Sequence, residues 1–337
     1  MAVITGTNWT AYDAATMTAR EIYGRTLAEM GKHNSKIVGI TADLAKTTAI
    51  VHFAKAFPDR FYNVGIAEQN MMGIAAGLAK SGLIPFASTM AIFACLRAGE
   101  QVRTDIAYQN LPVKIIATHA GISFGHAGTT HHCTEDLAVM RSIANMTVIC
   151  PADGIETSKA VQACIDIPGP VYIRIGRGFE PPTYENADYD YEIGKAITMR
   201  DGTDLTIIAC GIAVLQSIQA AKTLAEQDGL SVRVINMHTI KPIDRDIILK
   251  AVKDTRRILT IEEHNVIGGL GDAVGSVIAE SGKGCVFKKH GIYDEYATIG
   301  YAEDLYAHYG LDANGIIDQV RGMMGKEFEA DENWEDD

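Results

Sequence analysis

The stretch that decides the fold runs from Tyr62 to Gly77 and reads Tyr62-Asn63-Val64-Gly65-Ile66-Ala67-Glu68-Gln69-Asn70-Met71-Met72-Gly73-Ile74-Ala75-Ala76-Gly77. Its one acidic residue, Glu68, stands between a strand-like run and a segment of small residues that is expected to form a helix. A helix with so little bulk can lie flush against a sheet or a partner and carry the carboxylate into an apolar interface. A solvated helix N-terminus, where the dipole favours an acidic residue, is the other interpretation.

The segment from Asn63 to Met71 resembles the signature of the pyrimidine-binding domain in transketolases and related thiamine diphosphate enzymes. In that family the glutamate bonds N1′ of the aminopyrimidine of thiamine diphosphate. The resemblance therefore implies a catalytic and cofactor-binding role for Glu68. A proton shared with N1′ favours the 4′-imino form, which can take the C2 proton and leave a carbanion nucleophile.

Length and composition exclude several classes of protein. A chain of 337 residues that is 47% hydrophobic can bury a large core and is predicted to hold two domains. It has no apolar run long enough to span a membrane and no signal-peptide layout. Its net charge of −12 argues against nucleic-acid binding. Six cysteines without a C-x-x-C pair indicate reduced thiols, so we expect a cytoplasmic protein.

Short apolar runs alternate with amphipathic helical segments along the chain. Strands are predicted at 36–44, 83–89, 113–119, 146–150, 170–174, 205–211, 231–236 and 257–263. Helices are predicted at 18–30, after Glu68, at about 91–109 and at 156–164. This alternation predicts an α/β fold with two doubly wound domains.

Hydrophobic periodicity lapses after residue 174, which marks a linker. Together with the resemblance, this divides the chain into a pyrimidine-binding transketolase-like domain (15–178), a linker (179–195), a transketolase C-terminal domain (196–325) and a disordered acidic tail (326–337). Glu262-Glu263-His264 and Gly268-Gly269-Leu270-Gly271 match that C-terminal domain. The glycine cluster fits neither phosphate-loop template and is predicted to permit close packing at a subunit contact.

The diphosphate half of the cofactor site is missing from this sequence. The family holds Mg²⁺ beside the diphosphate with a Gly-Asp-Gly motif, and the nearest approach here is Gly271-Asp272-Ala273, in the wrong domain. No metal ligand is therefore expected in this chain. The resemblance implies that Mg²⁺ or Ca²⁺ is held by a separate N-terminal transketolase subunit that carries the diphosphate-binding domain, in an α₂β₂ heterotetramer.

The resemblance also assigns residues around the cofactor and the substrate. Phe93, four residues after Thr89, matches the ring that stacks on the aminopyrimidine, and Met90 stands where transketolases usually have a second aromatic. Asp43 lies in the turn after the first strand, where cofactor groups are bound.

Five further residues match positions that contact the sugar in the family. His119 and His131 match the two catalytic histidines of the substrate channel. Arg20, Thr41 and Arg177 match the residues that hold the acceptor's terminal phosphate.

The loop 125–132 departs from the family pattern. Where transketolases have Glu-Asp, this chain has His126 and Ala127, so a carboxylate that bonds a sugar hydroxyl is lost. We expect a substrate with a different hydroxyl pattern or more negative charge. A metal site built from His126, His131, His132 and Cys133 is the alternative, but two-carbon transfer needs no second metal.

The favoured function is the C-terminal subunit of a split transketolase that moves a two-carbon ketol unit from a ketose to an aldose phosphate. The ketose could be a branched or sulfonated sugar. The alternative is the β subunit of a 2-oxoacid or acetoin dehydrogenase, and a third hypothesis is a non-catalytic partner. Glu68, Phe93, His119 and His131, retained together, argue against the third.

Overall fold

The computed structural model describes residues 8–178, 180–184 and 187–326. Its strands are β1 Ile37–Thr41, β2 Phe61–Asn63, β3 Ile84–Met90, β4 Lys114–Thr118, β5 Thr147–Ile149, β6 Val171–Arg174, β7 Ile197–Arg200, β8 Leu205–Ala209, β9 Val232–Asn236, β10 Thr239–Lys241, β11 Arg257–Asn265 and β12 Val286–Ile292.

The helices that connect these strands pack against the sheets. They are α1 Ala11–Thr16, α2 Ala19–His33, α3 Val51–Ala56, α4 Glu68–Lys80, α5 Gly99–Gln101, α6 Asp136–Ser142, α7 Gly154–Ala163, α8 Ala213–Asp228, α9 Arg245–Thr255, α10 Leu270–Ser281, α11 Ala302–His308 and α12 Ala313–Met324. Two π-helical segments, Phe93–Arg97 and Val102–Ala107, flank α5, and single 3₁₀ turns lie at Pro58–Arg60, Gly125–Ala127 and Cys164–Asp166.

Two sheets organise the chain. The first has seven strands in the order β10-β5-β6-β4-β3-β1-β2, and the second has five in the order β12-β11-β8-β9-β7. Within each sheet the strands are parallel except one antiparallel edge strand, β10 in the first and β7 in the second. The predicted fold of two parallel-stranded α/β domains is confirmed. Because the strands are parallel, their carboxyl ends share one edge, where ligand groups collect.

Strand β10 was not predicted from the sequence, and it ties the two halves of the chain together. It follows β9 of the second sheet but pairs with β5 of the first, with Thr239 opposite Ile149. The backbone N–H of Cys150 also donates to the carbonyl of His238, at 2.8 Å. The second half of the chain therefore completes the edge of the first sheet.

The remaining differences from the sequence-based expectations are local. The single helix expected at 91–109 contains the two π-helical segments, whose wider turns displace side chains relative to a regular helix. Residues 11–16 form α1, held by a capping box between Thr10 and Asp13. The described parts of the expected linker have no helix or strand, yet Tyr184 and Tyr189 stack there at 4.1 Å.

A buried ion network joins the two domains. Arg174, at the end of β6, donates from Nε to both carboxylate oxygens of Asp136 at 3.1 and 3.0 Å. Its Nη2 donates to the carbonyl of Glu263 in β11 at 2.7 Å. The side chains of all three residues are at most 6% exposed. Glu263 in turn accepts the backbone N–H of Ile122 and the hydroxyl of Tyr306.

The glycine cluster after β11 packs closely, as expected, but against this chain itself. A Cβ on Gly269 would collide with Oε2 of Glu262, so only glycine fits there. Glu262 uses that approach to accept the backbone N–H groups of Leu270 and Gly271, at 2.6 and 2.8 Å. The close approach therefore anchors the start of α10, and a subunit contact at this cluster stays a prediction.

The predicted acidic tail falls almost wholly outside the described residues, from residue 327 onward. The expectation about membrane spans concerns the rest of the chain. Within the part that the structure covers, no helix combines the length and the apolar character needed to cross a membrane.

Replacing Arg174 with alanine tests the weight of the network between the domains. The substitution leaves Asp136 and Glu263 as uncompensated buried carboxylates, which typically costs about 3–5 kcal/mol of stability. We expect a loss of that size in urea unfolding followed by circular dichroism. The matched control is Arg321→Ala, which breaks an exposed ion pair with Asp228 and should change little. Equal effects of the two substitutions would contradict this role for Arg174.

Candidate active site

Glu68 is the first residue of α4 and lies at the carboxyl edge of the first sheet. Its carboxylate is 2% exposed and accepts a hydrogen bond from Nη1 of Arg97 at 2.9 Å. The guanidinium carbon of Arg97 lies 3.9 Å from the ring centroid of Phe93. One planar cation therefore contacts both the carboxylate and the aromatic face that the sequence assigned to the cofactor.

Phe93 connects this pair to the predicted substrate histidines. Its ring lies 5.5 Å from the ring of His131, edge to face. His131 lies 5.4 Å from Phe124, whose ring also contacts His119 at 4.8 Å and His126 at 5.3 Å. Phe124 is thus the centre of an aromatic cluster that brings three predicted site histidines together.

His119 adopts an unusual backbone conformation within this cluster. It follows β4 with a φ of 59°, a left-handed geometry that is uncommon outside glycine and often found where a site imposes it. Its Nδ1 lies 2.9 Å from the Thr118 hydroxyl. Burial lowers the pKa of His119 to about 3, and the charges of Arg20 and Arg177 act in the same direction. His119 is therefore a neutral imidazole at physiological pH.

The two predicted phosphate-binding arginines are neighbours. Nε of Arg20 donates to the carbonyl of Arg177 at 2.8 Å, and its Nη1 donates to the carbonyl of Thr47. The guanidinium of Arg177 lies 4.8 Å from the ring centroid of Phe124. Burial raises the pKa of the nearby Glu180 to about 7, and Glu180 accepts the backbone N–H of Ala19. The site therefore has a positive side next to the histidines.

The other predicted residues lie at the same edge of the sheet with different environments. Asp43 is exposed, has a φ of 60° and exchanges hydrogen bonds with Asn63 at the end of the neighbouring strand. Met90 is buried at the end of β3. Thr41 is fully buried, and its hydroxyl donates to the carbonyl of Ser88 at 2.8 Å. A contact between Thr41 and substrate would require that bond to change.

The loop that carries His126 and Ala127 is held by the second domain. A Cβ on Gly125 would lie 2.5 Å from the carbonyl oxygen of Gly300, and the backbone of Gly128 packs on Ile299. His132 is buried and its Nε2 donates to the carbonyl of Gly125 at 2.9 Å. His126 is exposed, so it is the loop imidazole that faces solvent.

Metal binding by the histidine loop finds no support in the geometry. Among the described residues, no group of three or more His, Cys, Asp or Glu side chains is arranged to hold a metal ion. Cys133 is instead fully buried, and its backbone pairs with that of Gly121 to close the base of the loop.

Two residues of the cluster were missed by the sequence-based assignment. Phe124 sits between His119 and His126 in a glycine-rich loop, and an aromatic residue in such a loop is a signal that could have been used. Arg97 follows Phe93 by four residues, the spacing at which helical side chains stack, although its contact with Glu68 depends on tertiary structure.

Comparison with known proteins identifies the family. Residues 15–180 match the model described as transketolase, pyrimidine binding domain, and residues 194–316 match transketolase, C-terminal domain. Over 297 residues the chain is 42% identical to one of the subunits of the apulose-4-phosphate transketolase of Phocaeicola vulgatus, covering 88% of this chain and 94% of that protein. The chain belongs to the transketolase family.

Two further comparisons relate the chain to split transketolases. It is 36% identical over 301 residues to a 6-deoxy-6-sulfo-D-fructose transketolase subunit of Clostridium sp., covering 88% and 92% of the two chains. A solved structure described as split gene transketolase, inactive beta4 tetramer, has a TM-score of 0.85 and 44% identity, covering 91% and 98%. The family predicted from the Glu68 segment is confirmed, and these relatives do not favour the dehydrogenase alternative.

The protonation state of His119 gives a test of the electrostatics. Because its folded pKa lies below the ordinary 6.5, the imidazole should stay neutral from pH 8 to pH 5, and its contribution to stability should be lost as pH falls below 6.5 toward 3. Arg177→Gln should raise its pKa by removing one nearby positive charge. Histidine ¹⁵N spectra, assigned with His119→Gln, measure both effects. A wild-type midpoint near 6.5 would contradict the assignment.

Proposed function

We propose that this chain is the pyrimidine-binding subunit of a thiamine diphosphate-dependent enzyme that transfers a two-carbon ketol unit from a ketose to an aldose phosphate. The observation that carries the proposal is the continuous set of contacts from Glu68 through Phe93, His131 and Phe124 to His119. It brings a buried carboxylate, an aromatic face and two imidazoles together along one edge of the sheet, in a chain of the transketolase family.

The residues present fit the aminopyrimidine half of the cofactor. Glu68 and Phe93 already hold a planar group that bears N–H donors, the guanidinium of Arg97, and a pyrimidine with a protonated ring nitrogen has the same planarity and the same kind of donor. Met90, buried at the end of β3, supplies an apolar side chain at the same edge. When bound, thiamine diphosphate supplies the nucleophilic carbon that accepts the two-carbon unit.

The side chains of this chain divide the remaining work. Glu68 holds the proton shared with the pyrimidine nitrogen, and its burial keeps that proton from exchanging freely with water. Neutral His119 and His131 accept or donate hydrogen bonds at the ketose hydroxyls. Arg20 and Arg177 provide the positive charge for a terminal phosphate or sulfonate.

A second subunit is needed to complete the cofactor site. The face around Glu68 exposes apolar side chains, with Ile66 78% and Leu96 55% exposed. On α4, Gly77 has no described atom within 4 Å of where its Cβ would be, so the helix presents backbone to its surroundings. These features support docking of an N-terminal, diphosphate-binding subunit that carries Mg²⁺ or Ca²⁺, in an α₂β₂ assembly.

The dehydrogenase β-subunit alternative has no specific observation in its favour. The names of two relatives, which refer to apulose 4-phosphate and to 6-deoxy-6-sulfo-D-fructose, instead support testing unusual ketoses. The decisive experiment reconstitutes this chain with its N-terminal partner and assays ketol transfer to an aldose phosphate. Absence of transfer from every donor in a panel of phosphorylated, branched and sulfonated ketoses would refute the proposal.

Glu68→Gln tests the proton-sharing role. An amide can still bond the ring nitrogen but cannot share a proton with it, so C2 proton exchange of bound thiamine diphosphate should slow by about 100-fold or more. Hydrogen–deuterium exchange followed by NMR measures this rate in the reconstituted enzyme. Gln69→Ala, on the exposed neighbour, is the matched control. Exchange at the wild-type rate would remove Glu68 from the mechanism.

The altered loop makes a prediction about donor choice. Ala127 offers no acceptor to a sugar hydroxyl, and His132 is occupied by the Gly125 carbonyl, so xylulose 5-phosphate should be a poor donor. Ala127→Asp combined with His126→Glu should raise its kcat/KM by about tenfold or more. Thr129→Asp, which adds a carboxylate to an exposed position of the same loop, controls for charge alone. An efficient wild type that the double substitution leaves unchanged would show that this loop does not set donor choice.

A further inference from the structure

We propose that Arg97 is an internal occupant of the aminopyrimidine position, which pairs with Glu68 and covers Phe93 until the cofactor displaces it. This inference rests on the proposed function, because it assumes that Glu68 and Phe93 bind the pyrimidine. It adds to that function a competition between one side chain and the cofactor. Cofactor affinity is then set partly by how readily Arg97 leaves.

The guanidinium of Arg97 and a protonated pyrimidine are chemically alike. The guanidinium is planar and cationic, donates to Glu68 Oε2 at 2.9 Å and lies 3.9 Å from the centroid of the Phe93 ring. A pyrimidine protonated on a ring nitrogen is also planar and donates an N–H to a carboxylate while stacking on an aromatic face. Two groups that make the same two contacts with the same two side chains cannot occupy them together.

Burial differs sharply between the two members of the ion pair. Glu68 is 2% exposed, whereas the side chain of Arg97 is 46% exposed. The carboxylate is fixed at the start of α4, and a buried carboxylate without a donor is unfavourable. Arg97 extends from a π-helical segment toward solvent and loses little hydration when it pairs. The arginine is therefore the mobile member, and it can swing outward without disturbing the core.

The residue next to Arg97 links this pair to the surface proposed for the partner subunit. Leu96 is one of the exposed apolar residues on that face. Docking of a partner there would contact the segment Phe93–Arg97 directly, so assembly and release of Arg97 are coupled through one helical turn. Arg97 thereby keeps Glu68 paired in the unassembled chain.

The experiment measures cofactor affinity rather than turnover. The full chain, as wild type and as Arg97→Ala, is reconstituted with the N-terminal subunit and titrated with thiamine diphosphate and Mg²⁺ by calorimetry. We expect Arg97→Ala to lower Kd about fivefold, the ratio that corresponds to about 1 kcal/mol for a half-exposed ion pair. Arg321→Ala is the matched control, since Arg321 is 45% exposed and pairs with Asp228 at 2.8 Å. It should leave Kd unchanged.

A second measurement asks whether the vacated position accepts a guanidinium. In Arg97→Ala, sub-denaturing guanidinium chloride should weaken thiamine diphosphate binding more than it does in wild type, with sodium chloride as the ionic-strength control. A merely structural role for Arg97 would produce no such competition. Unchanged or weaker cofactor binding by Arg97→Ala would overturn the inference and make Arg97 a permanent part of the site.

Two further variants separate this inference from the proposed function. Glu68→Ala and Phe93→Ala should both weaken thiamine diphosphate binding in the same titration. If both do so while Arg97→Ala does not tighten binding, only the displacement of Arg97 is wrong. If neither weakens binding, the pyrimidine does not lie on these residues, and the proposed function fails together with the inference.

Discussion

The buried charge of Arg174 is the constraint on which the rest of the structure depends. A guanidinium that is 4% exposed must have its donors satisfied within the protein, and here Asp136, the carbonyl of Cys133 and the carbonyl of Glu263 satisfy them. Those partners belong to the helix after the histidine loop, to the base of that loop and to the second domain. One side chain therefore fixes the relative positions of three elements, and none can shift without exposing an unpaired charge to a medium of low dielectric.

The histidine loop inherits its geometry from that arrangement. Its base is closed by the backbone pairing of Gly121 with Cys133, and its tip packs on the backbone of Gly300. The aromatic cluster centred on Phe124 then brings His119 and His131 together. Because the imidazoles pack on rings and lie near arginines, their neutral forms are favoured, which suits hydrogen bonding to hydroxyl groups better than charge neutralisation. The second domain thus acts on the site through the loop, although it contributes no residue to the contacts that join Glu68 to His119.

The sequence predicted what depends on local pattern. Alternating apolar runs located β1, β3 and β4, and polar residues at the ends of these strands pointed to the edge where the site lies. It did not reveal β10, because three residues carry no periodicity and their partner strand is about ninety residues away. The role of Phe124 and the pairing of Arg97 with Glu68 were also missed, since each depends on which side chains meet after folding. The π-helical turns, which determine where Arg97 points, have no recognised sequence signal.

A cofactor site divided between two chains poses an electrostatic problem that a single-chain enzyme meets less severely. The half that carries Glu68 must fold with a carboxylate at an apolar interface whose eventual partner groups lie on other molecules. A nearby cation on a solvated stem satisfies the carboxylate in the interim, and the positive end of α4 adds to the same effect because Glu68 is its first residue. Such a pairing must be strong enough to keep the unassembled half ordered and weak enough to yield to the cofactor. A half-exposed arginine meets both requirements, whereas a fully buried one such as Arg174 would hold the carboxylate permanently.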